Sequence, residues 1–320
     1  MADFTILEPI STGDVIDRSV RLYRRNFTPL ISIVVIPSLI YYVSSLLFWT
    51  GYARLILEAQ SGGTGAPWLL MVAVGGMGYI VALFTLVAAV AGMARVIGDY
   101  VMTGEPITFR KAILVVKRRL GDIALMVLLV LLLGFAAYVV FIIAVFIVVF
   151  LGAIVVALIT AVSAPPWLNA TVGTICVLAL VAAGTIGLLM LVSRFIFLPQ
   201  VLMIEGQSAG SALGRAIALG KKNWYRVGGI ALFCYFVTLS LLAALTLPLL
   251  AGVEVWGTLG VEMLSDPKWT ALYAGFNQIS SLLVMPIWTA CFTLLYFDSR
   301  VRNEAYDIEV LSIGLQPSPQ

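Results

Sequence analysis

Three arginines stand at the ends of apolar stretches, and each is followed by carboxylates. A planar guanidinium binds a phosphate through two parallel hydrogen bonds, so Arg95, Arg194 and Arg300 together would suit a phosphate or a lipid headgroup. A second interpretation needs no ligand and is preferred: the arginines anchor helix ends in water, and Arg300 pairs with Glu304 at i,i+4. The acids that follow the three arginines are Asp99, Glu105, Glu205, Glu304 and Asp307.

Other reactive residue types are scarce in this sequence. Histidine is absent, and the three cysteines, Cys176, Cys234 and Cys291, include no C-x-x-C spacing. Zinc sites, Ser-His-Asp triads and disulfide scaffolds therefore lack their residues. The sequence predicts no catalytic residue, no metal ligand and no cofactor, and an intramembrane enzyme is the least favoured hypothesis because no nucleophile and base can be paired.

The composition indicates what positions these residues. Of 320 residues, 62% are hydrophobic and 11% are charged, and the mean hydropathy is +1.07. Soluble domains carry about 25% charged residues. So much apolar surface has to face lipid, which predicts an all-α, polytopic integral membrane protein.

Six stretches are long and apolar enough to cross a bilayer. The third contains 41 residues, roughly twice the length that a crossing requires. Tilt, a break near Gly134 or Gly152, or a re-entrant stretch would accommodate the excess, and a version with four crossings in 122–204 is an alternative. The six predicted spans are 28–50, 68–93, 123–163, 171–192, 227–250 and 270–296.

Positive charge fixes the predicted orientation. With six crossings, 17 of the 19 lysines and arginines fall on one side, and only Arg54 and Lys268 fall on the other. The positive-inside rule then places both termini in the cytoplasm and the protein in the cytoplasmic membrane.

A basic amphipathic segment precedes the first, third and fifth spans. Apolar residues recur at spacings of 4, 3 and 4 in the first two segments, in the first at Ile16, Val20, Tyr23 and Phe27. The third segment matches the first at an offset of 197, which superposes Ser11 on Ser208 and Asn26 on Asn223. We interpret the chain as three parallel units, 8–97, 105–199 and 205–305, each an interfacial amphipathic helix followed by a transmembrane hairpin, with a tail at 306–320. The helices are expected to lie with apolar faces toward acyl chains. Their basic residues form a predicted collar of Arg18, Arg24, Arg25, Arg118, Arg119, Arg215, Lys221 and Lys222.

The most specific string is LLYFDSRVRNEAYD at 294–307. With RLYRRNF at 21–27 and the segment 198–224, it resembles the membrane domain of bacterial glycerophosphoryl diester phosphodiesterases and its free-standing relatives. In the fused members the resemblance assigns hydrolysis to a separate barrel that uses histidines and a metal. A chain without histidine does not inherit that activity.

The leading hypothesis is a non-enzymatic membrane protein that serves as a lipid-associated scaffold or regulator. Its expected partners are membrane lipids, anionic ones among them, because each basic residue near such a surface adds about 1 kcal/mol of attraction. The alternative is a passive channel or exporter for a small apolar or zwitterionic solute. Nucleic acid is not an expected partner at a net charge of +3, and a protein partner or homo-oligomer is left open.

Overall fold

The computed structural model describes residues 9–161, 166–221, 223–252 and 267–304, and all its regular elements are helical. Lys222, Asp307 and the predicted tail lie outside the described residues. A π-helical turn, Val201–Glu205, follows the seventh helix. The helices are α1 Thr12–Arg25, α2 Phe27–Gln60, α3 Ala66–Thr103, α4 Phe109–Arg118, α5 Leu120–Ala161, α6 Pro166–Phe195, α7 Leu198–Gln200, α8 Ala209–Gly220, α9 Trp224–Gly252 and α10 Pro267–Glu304.

Five helices are long and apolar enough to cross a membrane, so the chain has the character of an all-α, multi-pass membrane protein. They correspond to five of the six predicted spans. The predicted span at 171–192 lies within α6, which is not one of these five helices, so the sixth crossing stays a prediction. The five apolar segments are Phe27–Gln60, Ala66–Thr103, Leu120–Gly152, Trp224–Leu247 and Ala271–Glu304.

The long apolar run of the third span forms one uninterrupted helix, α5. Its 42 residues reach roughly 63 Å at 1.5 Å per residue. The helix neither breaks at Gly134 or Gly152 nor turns back on itself. This also argues against the alternative with four crossings in 122–204, because that alternative needs two crossings within this run. A single helix of this length must tilt or extend beyond the hydrocarbon layer.

Helix α10 lies at the centre of the fold. It packs against α9, α2, α1, α3 and α8. The most apolar part of α10 is 61% buried inside the protein, whereas that of α5 is only 11% buried. The largest fully buried side chains, which include Tyr296, Phe197 and Met93, lie near one end of the bundle. At this end the short helices α1, α4 and α8 each precede a long helix. We call this the basic end.

The short helices are docked on the protein itself. In α1, Val15, Ser19 and Leu22 are fully buried, and α1 packs mainly on α10. For α1 this corrects the expectation that its apolar face lies against acyl chains. Of the predicted stripe, Tyr23 is buried, whereas Ile16 and Val20 are only partly buried and the neighbouring Val15 and Ser19 are fully buried. The reason is that an amphipathic helix buries its apolar face wherever apolar surface is offered, and here neighbouring helices offer it.

Helices α1 and α8 have the same local geometry at positions 197 apart. Both begin at a serine with extended backbone, Ser11 and Ser208. In both, the long helix that follows is preceded directly by an asparagine whose side chain donates to the carbonyl four residues earlier, at 3.1 Å for Asn26 and 3.0 Å for Asn223. The buried positions correspond too: Val15, Ser19, Leu22 and Tyr23 in α1, and Ala212, Ala216, Leu219 and Gly220 in α8.

Helix α4 matches α1 and α8 only at the junction with the long helix that follows. The residue four positions after the junction is buried in each case: Leu30, Ile123 and Val227. The backbone N–H of Ile123 donates to the carbonyl of Arg119 at 3.0 Å, as the other two do to their asparagines. Arg119 thus stands where the other two junctions have an asparagine.

Candidate functional site

The basic end contains three groups of charged side chains, and the first two join segments far apart in sequence. The first is centred on Asp298 of α10, which is fully buried. Its carboxylate accepts hydrogen bonds from Arg226, from Arg302 Nε at 2.8 Å and from the backbone N–H of Ile10 at 2.8 Å. The same two arginines donate to the carbonyl oxygen of Ile10, at 2.9 Å and 2.8 Å. The segment directly before α1 is thereby fixed to α9 and α10.

Burial makes this Asp298 group energetically important. Arg226 is 4% exposed, so both members of its ion pair with Asp298 have left water. A buried charge that loses its partner costs several kcal/mol, whereas the complete pair is close to neutral in stability. The group therefore fixes geometry more than it adds stability.

The second group is centred on Glu205, which ends the π-helical turn. Its carboxylate accepts from Arg215 Nε at 3.0 Å and from the Tyr296 hydroxyl at 2.7 Å. Arg215 also pairs with Glu304 at 2.6 Å. The predicted i,i+4 pair of Arg300 with Glu304 is present at 3.2 Å, and Arg300 Nε lies 4.0 Å from Glu205. Helices α8 and α10 are joined through these contacts.

The third group lies where α3 meets α4. Asp99 accepts from Arg95 at 3.1 Å and from Lys111 at 2.8 Å, and Lys111 also contacts Glu105. Hydrogen bonds to Asp99 and then Glu105 raise the pKa of the Lys111 ammonium, which stays charged at neutral pH.

Two arginines satisfy carbonyl oxygens at the end of the π-helical turn. Arg95 Nη1 donates to Met203 at 3.0 Å, and Arg119 Nη1 donates to Leu202 at 3.1 Å. Arg119 Nη2 donates to Gly206 at 2.9 Å, and Gly206 takes the left-handed φ of 73° that ends such a turn. The carbonyls at a helix end have no intrahelical donor, and these guanidiniums supply one.

The structure brings together two of the three arginines of the predicted ring. Arg95 and Arg300 both contact the segment 203–205, through its carbonyls and through Glu205. Arg194 lies where the end of α6 meets Gly220 of α8, and it makes no ion pair with any residue the structure describes. Arg95 and Arg300 thus bind protein groups.

The predicted collar divides into exposed and engaged members. Arg24, Arg25, Arg118 and Lys221 are exposed, Arg18 is half-buried, and Arg119 and Arg215 are held in the contacts above. Lys222 lies outside the described residues. The basic end therefore has exposed cations at its surface, whereas Arg119 and Arg215 bind carbonyl oxygens and carboxylates of the protein.

The sequence did not single out Asp298, Arg226 or Ile10 as a group. Asp298 and Ile10 are 288 residues apart, and no periodicity connects them. The one available signal was an aspartate inside the otherwise apolar stretch 294–298, because an unpaired carboxylate is too costly to bury.

Within the residues that the structure describes, no group of His, Cys, Asp and Glu side chains is arranged so that it could bind a metal ion. Comparisons with protein-family models, with curated proteins and with solved structures found no match. The argument for function therefore depends on the geometry of the basic end.

Proposed function

We propose that this chain is a non-enzymatic protein of the cytoplasmic membrane that binds anionic phospholipids at its basic end and acts as a lipid-associated scaffold or regulator. One observation carries the proposal: exposed arginines and a lysine surround the ends of helices whose outer faces are apolar. Such cations lie at the level of lipid phosphates when the apolar helices are in the bilayer.

The proposed architecture has six crossings in three hairpins, with both termini in the cytoplasm. The matching geometry of α1 and α8, and the shared junction of α4, support three units at 8–97, 105–199 and 205–305. Contacts of α2 with α3, α5 with α6 and α9 with α10 support the pairing of spans within each unit.

We further propose that the chain is a free-standing relative of the phosphodiesterase membrane domain. The string 294–307 that carries the resemblance includes Tyr296, Asp298, Arg300, Arg302 and Glu304. These residues belong to two of the three charged groups. A structural role of this kind would account for the string in a scaffold that has no catalytic residues.

Lipid binding is tested by exchanging exposed collar residues. The variant Arg24→Gln/Arg118→Gln/Lys221→Gln removes three charges at about 1 kcal/mol each, so we expect about 100-fold weaker binding to phosphatidylglycerol vesicles. The matched control is Arg54→Gln, a charge change at the predicted opposite side, which should leave binding unchanged.

Equal binding of the purified protein to anionic and zwitterionic vesicles would overturn the proposal. The same vesicles, loaded with a small zwitterionic solute, report on passive passage. Rapid solute release through the protein would favour the channel alternative.

A further inference from the structure

A cleft of about 410 Å³ opens at the basic end, where the first turns of α1 and α9 meet the last turn of α10. Pockets that bind small molecules have volumes of about 300–1,000 Å³. The residues that line this cleft are mostly of polar types, although apolar atoms form the larger part of its surface, and they come from three segments distant in sequence. They include Thr12, Asn223, Tyr225, Arg226, Arg302 and Asn303.

The cleft wall carries an excess of positive charge. Arg226 and Arg302 both line the cleft, while Asp298, the carboxylate that they share, lies behind them and is fully buried. Two guanidiniums against one carboxylate leave one positive charge without compensation in that group. Arg226 is 4% exposed and pairs with buried Asp298, so the surplus charge lies chiefly on Arg302, whose side chain is 44% exposed. An anion in the cleft would contact both guanidiniums and compensate this charge.

Hydrogen-bond donors remain on both arginines. A guanidinium has five N–H groups. In the described part of the chain, Arg226 directs three of them to Asp298, Ile10 and Thr12. Arg302 directs one to Asp298 and one to Ile10. The remaining N–H groups belong to side chains that line the cleft, and guanidinium N–H pairs match the oxygens of a phosphate.

Backbone groups add to the same attraction. Helix α9 begins at Trp224, so the N–H groups of Trp224, Tyr225 and Arg226 precede the first intrahelical bond, which Val227 makes to Asn223 at 2.9 Å. Free N–H groups and the positive end of the helix dipole both favour an anion at this position.

The position of the cleft favours a phosphate that belongs to a lipid. The apolar segment Trp224–Leu247 starts directly at the cleft. Tyr225 lines the cleft, is 61% exposed and packs edge-on against Trp224 at 6.2 Å. Paired tyrosine and tryptophan at the end of an apolar helix are typical of the headgroup layer.

We propose that this cleft binds the phosphate group of an anionic phospholipid, an inference that rests on the lipid-binding function above and gives it a specific site. Arg226 and Arg302 bind the phosphate oxygens, and the first turn of α9 contributes backbone N–H groups. A lipid in the cleft would join the segment directly before α1 to α9 and α10, in addition to the contacts that Asp298 makes.

The experiment uses the purified full-length chain and native mass spectrometry with phosphatidylglycerol and phosphatidylcholine in equal amounts. We expect the unaltered chain to retain one phosphatidylglycerol. Arg302→Gln should reduce its retention about tenfold or more, because a charge-assisted contact is lost. Asn303→Trp, at an exposed lining position, fills the cleft while keeping every charge and should do the same.

The matched control is Lys117→Gln, which removes one positive charge from an exposed position in the last turn of α4, outside the cleft lining. It should keep the lipid. Unchanged retention in both cleft variants, or equal loss in Lys117→Gln, overturns the cleft assignment while leaving lipid binding by the basic end intact. Absence of any preference for phosphatidylglycerol in the unaltered chain overturns both proposals. Displacement of the lipid by an equal concentration of inorganic phosphate would assign the cleft to a soluble phosphate instead.

Discussion

At the scale of single residues, Asp298 determines how the basic end is built. One carboxylate with no exposure to solvent receives two guanidiniums and the backbone N–H of Ile10. The arrangement is stable only as a whole, because desolvation of each charge is offset by the others. Removing one member leaves the remaining charges buried and uncompensated.

Asp298→Asn should therefore lower the free energy of unfolding by about 3–5 kcal/mol. The measurement is thermal unfolding of the purified protein in detergent, followed by tryptophan fluorescence. The matched control is Asp17→Asn, which breaks the exposed pair with Arg21 at 3.0 Å and should cost at most about 1 kcal/mol. Equal losses in the two variants would show that the buried group has no special role.

At the scale of elements, α1 and α8 share geometry but differ in how they begin. The Ser11 side chain accepts from the backbone N–H of Asp14, and the Asp14 side chain accepts from the N–H of Ser11, which completes a capping box. Ser208 occupies the same position in α8, but its hydroxyl contacts Ser211 at 3.0 Å and makes no capping bond.

Ser11→Ala should destabilise the protein by about 1 kcal/mol through the lost cap, and Ser208→Ala should have a smaller effect. The hydrogen bonds from Ser11 lower the pKa of Asp14 below its ordinary 3.8. A lowered pKa contributes stability above 3.8 that is lost as the pH falls through the pKa of the folded state. The difference between Ser11→Ala and the unaltered chain in thermal unfolding should thus shrink in acid, and a difference that grows there would contradict this account.

Helices α2 and α3 approach closely at a glycine. A Cβ atom on Gly75 would lie 2.5 Å from the backbone nitrogen of Phe48, whereas one on Gly76 would meet nothing within 4 Å. Close contact of backbones at small residues is the usual way in which membrane helices pack.

Gly75→Ala should force the two helices apart and lower the free energy of unfolding by about 1–3 kcal/mol. Gly76→Ala is the matched control, and we expect it to leave stability unchanged or slightly raised. Gel filtration and thermal unfolding of both variants would measure the difference. A tolerated Gly75→Ala would contradict the close packing of α2 on α3.

At the scale of the whole molecule, the orientation of the basic end decides which lipids it meets. The proposed six crossings would place α1, α4 and α8 together on the cytoplasmic side. The contacts of Arg95, Arg119 and Arg215 with the segment 202–207 bring the ends of α3, α4 and α8 to one end of the bundle.

This orientation is tested with single cysteines and a membrane-impermeant maleimide on intact cells. Arg118→Cys and Lys221→Cys should be labelled only after the membrane is opened, and Thr64→Cys, in the turn between α2 and α3, should be labelled without opening. These variants are made in a Cys176→Ser background, which is also the blank, since the other two cysteines, Cys234 and Cys291, are fully buried. Labelling at position 221 in intact cells would overturn the six-crossing topology.

The sequence by itself determined the helical class, five of the long helices and the single end at which the basic residues gather. Continuous apolar runs leave the backbone no alternative to helix in lipid, and charge counts along a chain need no coordinates. It also located the serine and asparagine pairs at an offset of 197.

Only the tertiary structure decided which partners the charged residues take. The stripe on α1 shifted from Ile16 and Val20 to Val15 and Ser19 because neighbouring helices, rather than lipid, define its buried side. The Asp298 group and the cleft beside it join Ile10 to α9 and α10 across more than 200 residues. Contacts of that separation arise from the packing of whole helices, which local spacing does not encode.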